Sequence, residues 1–236
     1  MNERYNGKVT IHHLIGGARE ARGLAVIIDV FRAFSLECYL YDAGVREVRP
    51  VGSIDEAWDW RRRDPDCVLA GERKGKMCEG FDMGNAPSAA DPKKLAGRRV
   101  IHTTSAGTQG IVNAAGADTL LTGALVNAKA VARYIMQTNP PEVSLVCMGR
   151  LGLREAVEDE LCASYIASIL AGEPMPDIAQ RVADLRWHGG EHFFDPDNQS
   201  VFPEPDFWLC TKYDRFDFVL RVERDEYGFI SRRIEV

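Results

Sequence analysis

Runs of apolar residues alternate along the chain with segments of helical spacing. The run from Leu24 to Val30 has no polar residue before Asp29, which predicts a strand buried on both faces. The segment from Glu155 to Leu170 repeats apolar residues every four positions and predicts a long helix. Ser53 precedes Glu56 by three residues, the spacing of a capping box, and predicts the start of another helix.

The remaining predicted elements continue this alternation. Strands are predicted at 9–12, 45–51, 67–71, 98–103, 119–122, 143–148, 216–222 and 229–234, and helices at 34–43, 106–115 and 127–137. Alternating strands and helices are typical of an α/β fold. We therefore expect a three-layer α/β/α arrangement, with a mostly parallel or mixed central sheet and helices on both faces. We expect the chain to form a single domain over residues 1–236, or a domain divided into two lobes.

Composition excludes several classes of partner. The chain has 236 residues, of which 29 are basic and 35 acidic, so it lacks the broad cationic surface that nucleic acid or an anionic bilayer requires. No apolar run reaches the roughly 20 residues of a membrane span. Six scattered cysteines without a C-x-x-C pair predict reduced thiols and a cytoplasmic location. Trp58, Trp60 and an aromatic-rich C-terminal third leave surface for a homodimer.

Charged residues follow the first buried strand, and ligands of open α/β sheets bind at such carboxyl ends. Asp29 and Arg32 are these residues. A carboxylate and a guanidinium there suit a metal ion and a phosphate respectively. They suit equally an ion pair that caps the following helix, and the local sequence leaves both interpretations open.

A long polar loop begins at Glu72, directly after a short predicted strand, and extends to Ala86. It carries three glycines together with Arg73, Asp82 and Asn85. Glycines allow backbone N–H groups to approach phosphate oxygens, and arginine binds such oxygens with a bidentate fork. Most charged loops are simply solvated, but the length of this one and its Gly-Asn-Ala-Pro ending favour a loop that encloses an anion.

The strand at 98–103 leads into a turn of hydroxyl residues and then into a predicted helix. The first backbone N–H groups of a helix are free donors near a partial positive charge, so this junction is typical of an anion site. Thr104, Ser105 and Thr108 place hydroxyl donors around Gly107. N-capping of the helix would explain one of these hydroxyls and not all of them.

The acidic pair Glu158-Asp159 opens the long helix near residues 155–170. The helix dipole alone favours acidic residues at this position. The pair also follows a Gly-Arg-x-Gly loop at the end of a predicted strand, where carboxylates could face Mg²⁺ or water. Both interpretations remain open.

Taken in order, these segments resemble the 2-phosphosulfolactate phosphatase (ComB-like) family. The matching stretches are Ile-Asp-Val-Phe-Arg-Ala at 28–33, Gly-Glu-Arg at 71–73, Gly-Phe-Asp-Met-Gly-Asn-Ala-Pro at 80–87, Thr-Thr-Ser-Ala-Gly-Thr at 103–108, Gly-Ala-Leu-Val-Asn-Ala at 123–128 and Glu-Asp at 158–159. Six motifs in family order make the resemblance specific over residues 24–170. It implies an α/β fold and a Mg²⁺-dependent acid phosphatase that hydrolyses 2-phospho-3-sulfolactate to 3-sulfolactate and phosphate in coenzyme M biosynthesis.

Two departures from the family pattern concern the substrate more than the reaction. Ser105-Ala106 replace the Thr-Asn part of the family's usual Thr-Thr-Asn-Gly-Thr turn, so an amide side chain is missing, and Ala86 replaces the usual serine before Pro87. A phosphatase for another small phosphorylated acid, or a non-catalytic anion-binding protein, therefore remains an alternative. The segment 171–236 matches the family least, and no residue in it is assigned a role.

We therefore predict one site for Mg²⁺ and a small anionic phosphorylated substrate. The predicted catalytic residues are Asp29, Arg32, Glu72 and Asp82. The predicted substrate-binding residues are Arg73, Asn85, Thr104, Ser105, Gly107, Thr108 and Asn127. The predicted metal ligands are Asp29, Glu72, Asp82, Glu158 and Asp159. Lys74, Lys76 and Arg150 would add positive potential. A carboxylate would orient or deprotonate the attacking water, although Ser105 remains open as a covalent nucleophile.

Overall fold

Ten strands pair into one mixed sheet within residues 4–236, the part of the chain that this computed structural model describes. The strands are β1 (Lys8–His13), β2 (Leu24–Ile28), β3 (Glu47–Pro50), β4 (Val68–Arg73), β5 (Lys76–Met77), β6 (Arg99–Thr103), β7 (Thr119–Gly123), β8 (Glu142–Cys147), β9 (Phe218–Asp225) and β10 (Gly228–Glu235). The helices are α1 (Leu14–Glu20), α2 (Ala33–Asp42), α3 (Ile54–Arg63), α4 (Pro92–Leu95), α5 (Gly107–Asn113), α6 (Ala128–Thr138), α7 (Val157–Leu170), α8 (Ile178–Asp184) and α9 (Glu204–Cys210). The order across the sheet is β1-β8-β2-β7-β9-β10-β3-β6-β4-β5.

The sheet consists of two parallel blocks joined by an antiparallel hairpin. One block contains β1, β8, β2 and β7, and the other contains β3, β6 and β4. The hairpin of β9 and β10 pairs antiparallel with β7 on one side and with β3 on the other. Because three successive pairings are antiparallel, the two blocks run in opposite directions. The C-terminal segment, which matches the family motifs least, therefore supplies the centre of the sheet.

Helices cover both faces of this sheet. Val26 and Ile28 of β2 belong to a core cluster with α6 and α7, whereas Ala25 and Ile27 belong to another cluster with α1 and α5. In the second block, α2 and α4 cover one face and α3 covers the other. All five residues of β2 are buried, as its unbroken apolar run predicts. The predicted three-layer α/β/α fold is confirmed.

The sequence pattern predicts some helix termini correctly and misses four short helices. Ser53 Oγ accepts a hydrogen bond from Glu56 N at 3.1 Å, which confirms the predicted cap of α3. The pattern does not predict α1, α8 and α9, which have seven residues each, or α4, which has four. A Cβ atom at Gly17 of α1 would lie 2.8 Å from the Cβ atom of His12. Close packing on β1 therefore requires this glycine and overrides its low helix propensity.

The described residues also bear on the expected environment of the protein. Within residues 4–236, no helix combines the length and the apolar character that crossing a bilayer requires. All six cysteines are buried and carry free thiols. Their scattered positions predict this free state.

Tyr41 of α2 connects two strands where the sheet is paired least. β10 and β3 share the single register pair Ser231–Val48. The Tyr41 hydroxyl donates to the Ser231 carbonyl oxygen and accepts a hydrogen bond from Val48 N at 3.2 Å. Because Tyr41→Phe removes both hydrogen bonds at a largely buried position, we expect it to lower the free energy of unfolding by about 1–3 kcal/mol. Urea unfolding followed by circular dichroism measures the change.

The matched control is Tyr227→Phe, at an exposed ring in the turn between β9 and β10. It should change the free energy of unfolding by less than about 0.5 kcal/mol. Equal effects of the two substitutions would contradict the role assigned to Tyr41.

Candidate functional site

Both parallel blocks contribute to one crevice of about 270 Å³. In a flat sheet, blocks of opposite direction would place their carboxyl ends at opposite edges. Here residues from both blocks nevertheless line the same crevice, with Asp29 after β2, Ser105 after β6 and Glu72 in β4. The lining consists of Asp29, Phe31, Arg32, Glu72, Lys74, Gly75, Asn85, Ser105, Ala106, Gly149, Arg150, Leu151, Glu158, Asp159, His192 and Phe202.

Four carboxylates line the crevice, those of Asp29, Glu72, Glu158 and Asp159, and each residue is at most 9% exposed. Burial raises the pKa of Asp29 well above its ordinary value, and the three neighbouring carboxylates raise it further. Burial also raises the pKa of Glu158 to about 8 and the pKa of Asp159 to about 7. Asp29 and Glu158 therefore retain protons near neutral pH unless a cation compensates their charge.

Asp159 holds the ends of two neighbouring strands. Its Oδ1 accepts a hydrogen bond from Val30 N and its Oδ2 accepts one from Gly149 N, both at 2.8 Å. These two N–H groups favour the charged carboxylate and partly oppose the effect of burial on the pKa of Asp159. The first turn of α7 is thereby fixed against the ends of β2 and β8.

Glu72 organises the turn between β4 and β5. Its Oε2 accepts a hydrogen bond from Gly75 N at 2.6 Å, and its Oε1 accepts one from Ser105 N at 2.6 Å. The Ser105 hydroxyl also donates to Oε2 at 3.2 Å. Lys74 and Gly75 have positive φ angles of 54° and 83°. A Cβ atom at Gly75 would lie 2.4 Å from Phe202 Cζ, so the turn requires glycine there.

Three cationic side chains line the crevice, those of Arg32, Lys74 and Arg150. Arg32 is buried, and its guanidinium donates to the carbonyl oxygens of Val201 at 2.7 Å and Gly75 at 3.0 Å. Arg32 thus holds the β4–β5 turn against the C-terminal segment. Lys74 and Arg150 are exposed and form no salt bridge among residues 4–236. Their charges are therefore available to an anion.

His192 and Phe202 bring the C-terminal segment to the crevice, a role that the sequence pattern does not indicate. Burial, together with the positive charges of Arg150 and Arg32, lowers the pKa of His192 to about 4. His192 is therefore neutral at pH 7. His188 lies four residues before His192, but this spacing does not predict the placement of His192. Tertiary packing alone puts the His192 ring into the crevice.

The turn after β6 uses its hydroxyls differently from the predicted anion site. Thr104 Oγ1 accepts from Thr108 N at 3.1 Å, and Thr108 Oγ1 accepts from Thr104 N at 2.9 Å. Both residues are almost completely buried, and their hydroxyls stabilise the turn itself. Gly107 N donates to Asp29, which lowers the pKa of that carboxyl slightly against the larger effect of burial. Ser105 is the hydroxyl residue of this turn that lines the crevice.

Besides Thr104, Gly107 and Thr108, three more of the residues predicted at the site lie outside the lining, as does Lys76. Arg73 donates to a threonine hydroxyl at the end of β6 at 2.9 Å. Asp82 accepts a backbone N–H of β4 at 2.7 Å and forms an ion pair with an arginine of α3. Asn127 accepts a backbone N–H of its own turn at 3.0 Å. Each of these three side chains is bound to a nearby partner outside the crevice lining.

A chain of buried polar side chains runs from the crevice into the protein. Asn85 Oδ1 lies 3.0 Å from His102 Nε2, and His102 Nδ1 lies 3.0 Å from Glu37 Oε1. Asn85 lines the crevice, whereas His102 and Glu37 are completely buried. Sequence reasoning selected Asn85 and missed the other two. The available signal was an ionisable residue beside buried apolar neighbours, Glu37 after Leu36 in α2 and His102 after Ile101 in β6.

Comparison with known proteins agrees with the resemblance drawn from the motifs. The family model described as 2-phosphosulpholactate phosphatase matches residues 10–191. A protein from Bacillus subtilis named "Probable 2-phosphosulfolactate phosphatase" is 30% identical over 91% of this chain and 91% of its own length. A protein of the same name from Caldicellulosiruptor saccharolyticus is 35% identical over 83% of this chain and 87% of its own length. The chain therefore belongs to the 2-phosphosulfolactate phosphatase family.

Proposed function

We propose that this protein hydrolyses 2-phospho-3-sulfolactate to 3-sulfolactate and phosphate with the aid of Mg²⁺. The observation that carries the proposal is the meeting of four buried carboxylates and three cationic side chains in one crevice. The names of the relatives support the choice of substrate. Because this substrate carries a phosphate, a sulfonate and a carboxylate, it matches the cationic side chains of the crevice.

The carboxylate cluster fits a divalent cation for a physical reason. Buried carboxylates that repel one another have raised pKa values, as at Asp29 and Glu158, and a bound cation compensates their charge. Mg²⁺ prefers oxygen ligands and needs only one or two carboxylates besides a substrate phosphate. We assign Asp29 and Glu158 as the ligands, because Glu72 and Asp159 already accept backbone N–H groups with both oxygens.

Each of these crevice residues would have a separate role in phosphate ester hydrolysis. When bound, Mg²⁺ would neutralise part of the negative charge on the phosphoryl oxygens. Lys74 and Arg150 would attract and hold the anionic groups of the substrate, and Arg32 keeps the turn of Lys74 in place. Glu72 is fixed by three hydrogen bonds and would orient the attacking water with the remaining acceptor capacity of Oε1.

The proposal also covers the location of the protein in the cell and the pathway in which it acts. Six buried free cysteines suit a reducing compartment, which supports a cytoplasmic location. Membership of the family supports a place in coenzyme M biosynthesis, because sulfolactate is the product that the family name implies. A homodimer stays a prediction from the aromatic residues.

Phosphate release from synthetic 2-phospho-3-sulfolactate tests the proposal directly. We expect turnover with Mg²⁺, loss of turnover with EDTA and recovery on adding Mg²⁺. Asp29→Asn should lower kcat/KM by roughly 100-fold or more, because it removes a ligand charge in the crevice. Asp82→Asn is the matched control, since it removes a carboxylate outside the crevice and keeps an acceptor for the β4 backbone. We expect a change of less than about 5-fold for it.

Other phosphorylated hydroxy acids are measured in the same assay. Faster turnover of one of them would identify it as the substrate in place of 2-phospho-3-sulfolactate, and the proposed phosphate ester hydrolysis would stand. Absence of turnover with every substrate would leave a non-catalytic anion-binding protein.

The cations of the crevice generate a separate prediction about affinity. Lys74→Met and Arg150→Met should each raise KM by about 10-fold with a smaller effect on kcat, since their charges attract the substrate before the reaction. The increase should shrink at high ionic strength, because salt screens exposed charges. Lys94→Met, at an exposed lysine of α4, serves as control. Equal KM values for all three variants would exclude Lys74 and Arg150 from substrate binding.

The raised carboxyl pKa values predict how stability depends on pH without added metal. Asp29, Glu158 and Asp159 bind protons more tightly in the folded protein than in the unfolded chain. Stability therefore falls as pH rises from about 4, where the unfolded carboxyls begin to lose protons, to about 8. We expect Tm in EDTA to fall by at least ~5 °C between pH 5 and pH 8. Differential scanning calorimetry measures this dependence.

Two substitutions and the addition of Mg²⁺ distinguish the effect of the crevice carboxylates on Tm from the effect of exposed acidic residues. Glu158→Gln should flatten the dependence of Tm on pH, whereas Glu79→Gln, at an exposed position, should leave it unchanged. Mg²⁺ should raise Tm more at pH 8 than at pH 5, because protons compete with the cation for the same oxygens. A Tm that rises steadily from pH 5 to pH 8 in EDTA would contradict the assigned pKa shifts.

A further inference from the structure

We propose that the buried pair of Glu37 and His102 fixes the orientation of the Asn85 amide, so that Asn85 Nδ2 donates a hydrogen bond to a phosphoryl oxygen of the substrate. The inference rests on the proposed function, because it assumes that the crevice binds a phosphate ester. It assigns His102 and Glu37 as positioning residues that act through Asn85.

The position of the proton on His102 follows from the burial of the pair. Glu37 is completely buried, and within residues 4–236 its one salt-bridge partner is His102. Among the described residues its second oxygen, Oε2, has no hydrogen-bond partner, so an uncompensated charge there would be strongly unfavourable. The buried pair is therefore neutral as a unit.

Neutrality leaves two arrangements of the protons. Either a Glu37 carboxylate accepts from Nδ1–H of a doubly protonated ring, or a protonated Glu37 donates to Nδ1 of a neutral ring. In both arrangements His102 Nε2 carries a proton. The atom 3.0 Å from Nε2 must then be an acceptor, which is the observed position of Asn85 Oδ1.

The orientation of the amide determines which chemical group Asn85 offers to the crevice. With Oδ1 bound to His102, the Nδ2 group is the part left for a ligand. Within the described chain Nδ2 has no hydrogen-bond partner, and Asn85 lines the crevice. An amide N–H₂ group donates to anionic oxygens and does not bind cations. Asn85 therefore belongs to the phosphate side of the crevice and not to the metal side.

The pair is also well placed to keep this orientation fixed. Glu37 lies on α2, which begins shortly after Asp29, and His102 lies on β6, which leads to Ser105. Both elements therefore also support residues that line the crevice. A donor held in advance in the correct direction stabilises developing charge without reorganisation, which is the way in which enzymes use fixed dipoles.

A matched pair of substitutions at His102 tests the inference. The amide nitrogen of glutamine reaches the position of histidine Nε2, whereas that of asparagine reaches only the position of Nδ1. His102→Gln keeps a donor for Asn85, and His102→Asn keeps one only for Glu37. We expect kcat to fall by about 30-fold or more in His102→Asn and by less than about 10-fold in His102→Gln. Similar losses in the two variants would overturn the inference.

A double-mutant cycle separates positioning from a merely structural role. Because His102 acts through Asn85, the variant Asn85→Ala with His102→Asn should be no slower than Asn85→Ala alone, within about 2-fold. Losses that multiply would show that His102 acts independently of Asn85. Circular dichroism and Tm of each variant establish that it folds.

Two measurements do not require turnover or a substituted His102. In the wild-type protein labelled with ¹⁵N-histidine, His102 Nε2 should carry a proton, and an unprotonated Nε2 would overturn the inference. Calorimetric titration with inorganic phosphate should show affinity at least about 5-fold weaker in Asn85→Ala than in the wild type.

The same titration separates failure of this inference from failure of the proposed function. A wild-type protein that binds phosphate through Asn85 and does not hydrolyse 2-phospho-3-sulfolactate would exclude the reaction and retain the assignment of Asn85. Equal phosphate affinity in the wild type and Asn85→Ala would exclude the assignment, whatever the protein hydrolyses.

Discussion

The burial of four carboxylates around one crevice is the constraint on which the site depends. Burial raises the pKa values of Asp29, Glu158 and Asp159, and repulsion by neighbouring carboxylates raises them further. The surrounding structure offsets part of this increase with backbone N–H groups, since Gly107 donates to Asp29, and Val30 and Gly149 donate to Asp159. What remains is an excess of negative charge that a divalent cation is suited to neutralise.

The architecture of the sheet explains how such a cluster can be assembled. Two parallel blocks of opposite direction are joined by the β9–β10 hairpin, and residues after β2, β6 and β8 nevertheless line the same crevice. The turn of Glu72 and the start of α5 are held together by hydrogen bonds from Gly75 and Ser105 to Glu72. The C-terminal segment completes the crevice with His192 and Phe202, so the part of the chain with the fewest family motifs is structurally central.

The polar groups near the crevice divide into those that hold the protein together and those that remain available to a ligand. Thr104 and Thr108 satisfy each other within a turn, and Arg32 is occupied by two carbonyl oxygens. Lys74 and Arg150 keep their charges free, and Asn85 turns one end of its amide towards the buried His102. Acidic side chains thus adjoin donors for an anion, and the proposed metal-assisted reaction rests on this arrangement.

The sequence by itself determined the α/β layers, because apolar periodicity depends on local geometry that the chain carries everywhere. It also selected Asp29, Glu72, Ser105 and the Glu158–Asp159 pair, which all line the crevice, because they directly follow or end apolar runs that form strands or open a helix. Only the tertiary structure decided that Arg73, Asp82 and Asn127 bond to local partners, and that His102 and Glu37 stand behind Asn85. The reason is physical: whether a polar side chain meets a ligand or a neighbour depends on contacts between residues far apart in the chain, and residue type and spacing do not encode those contacts.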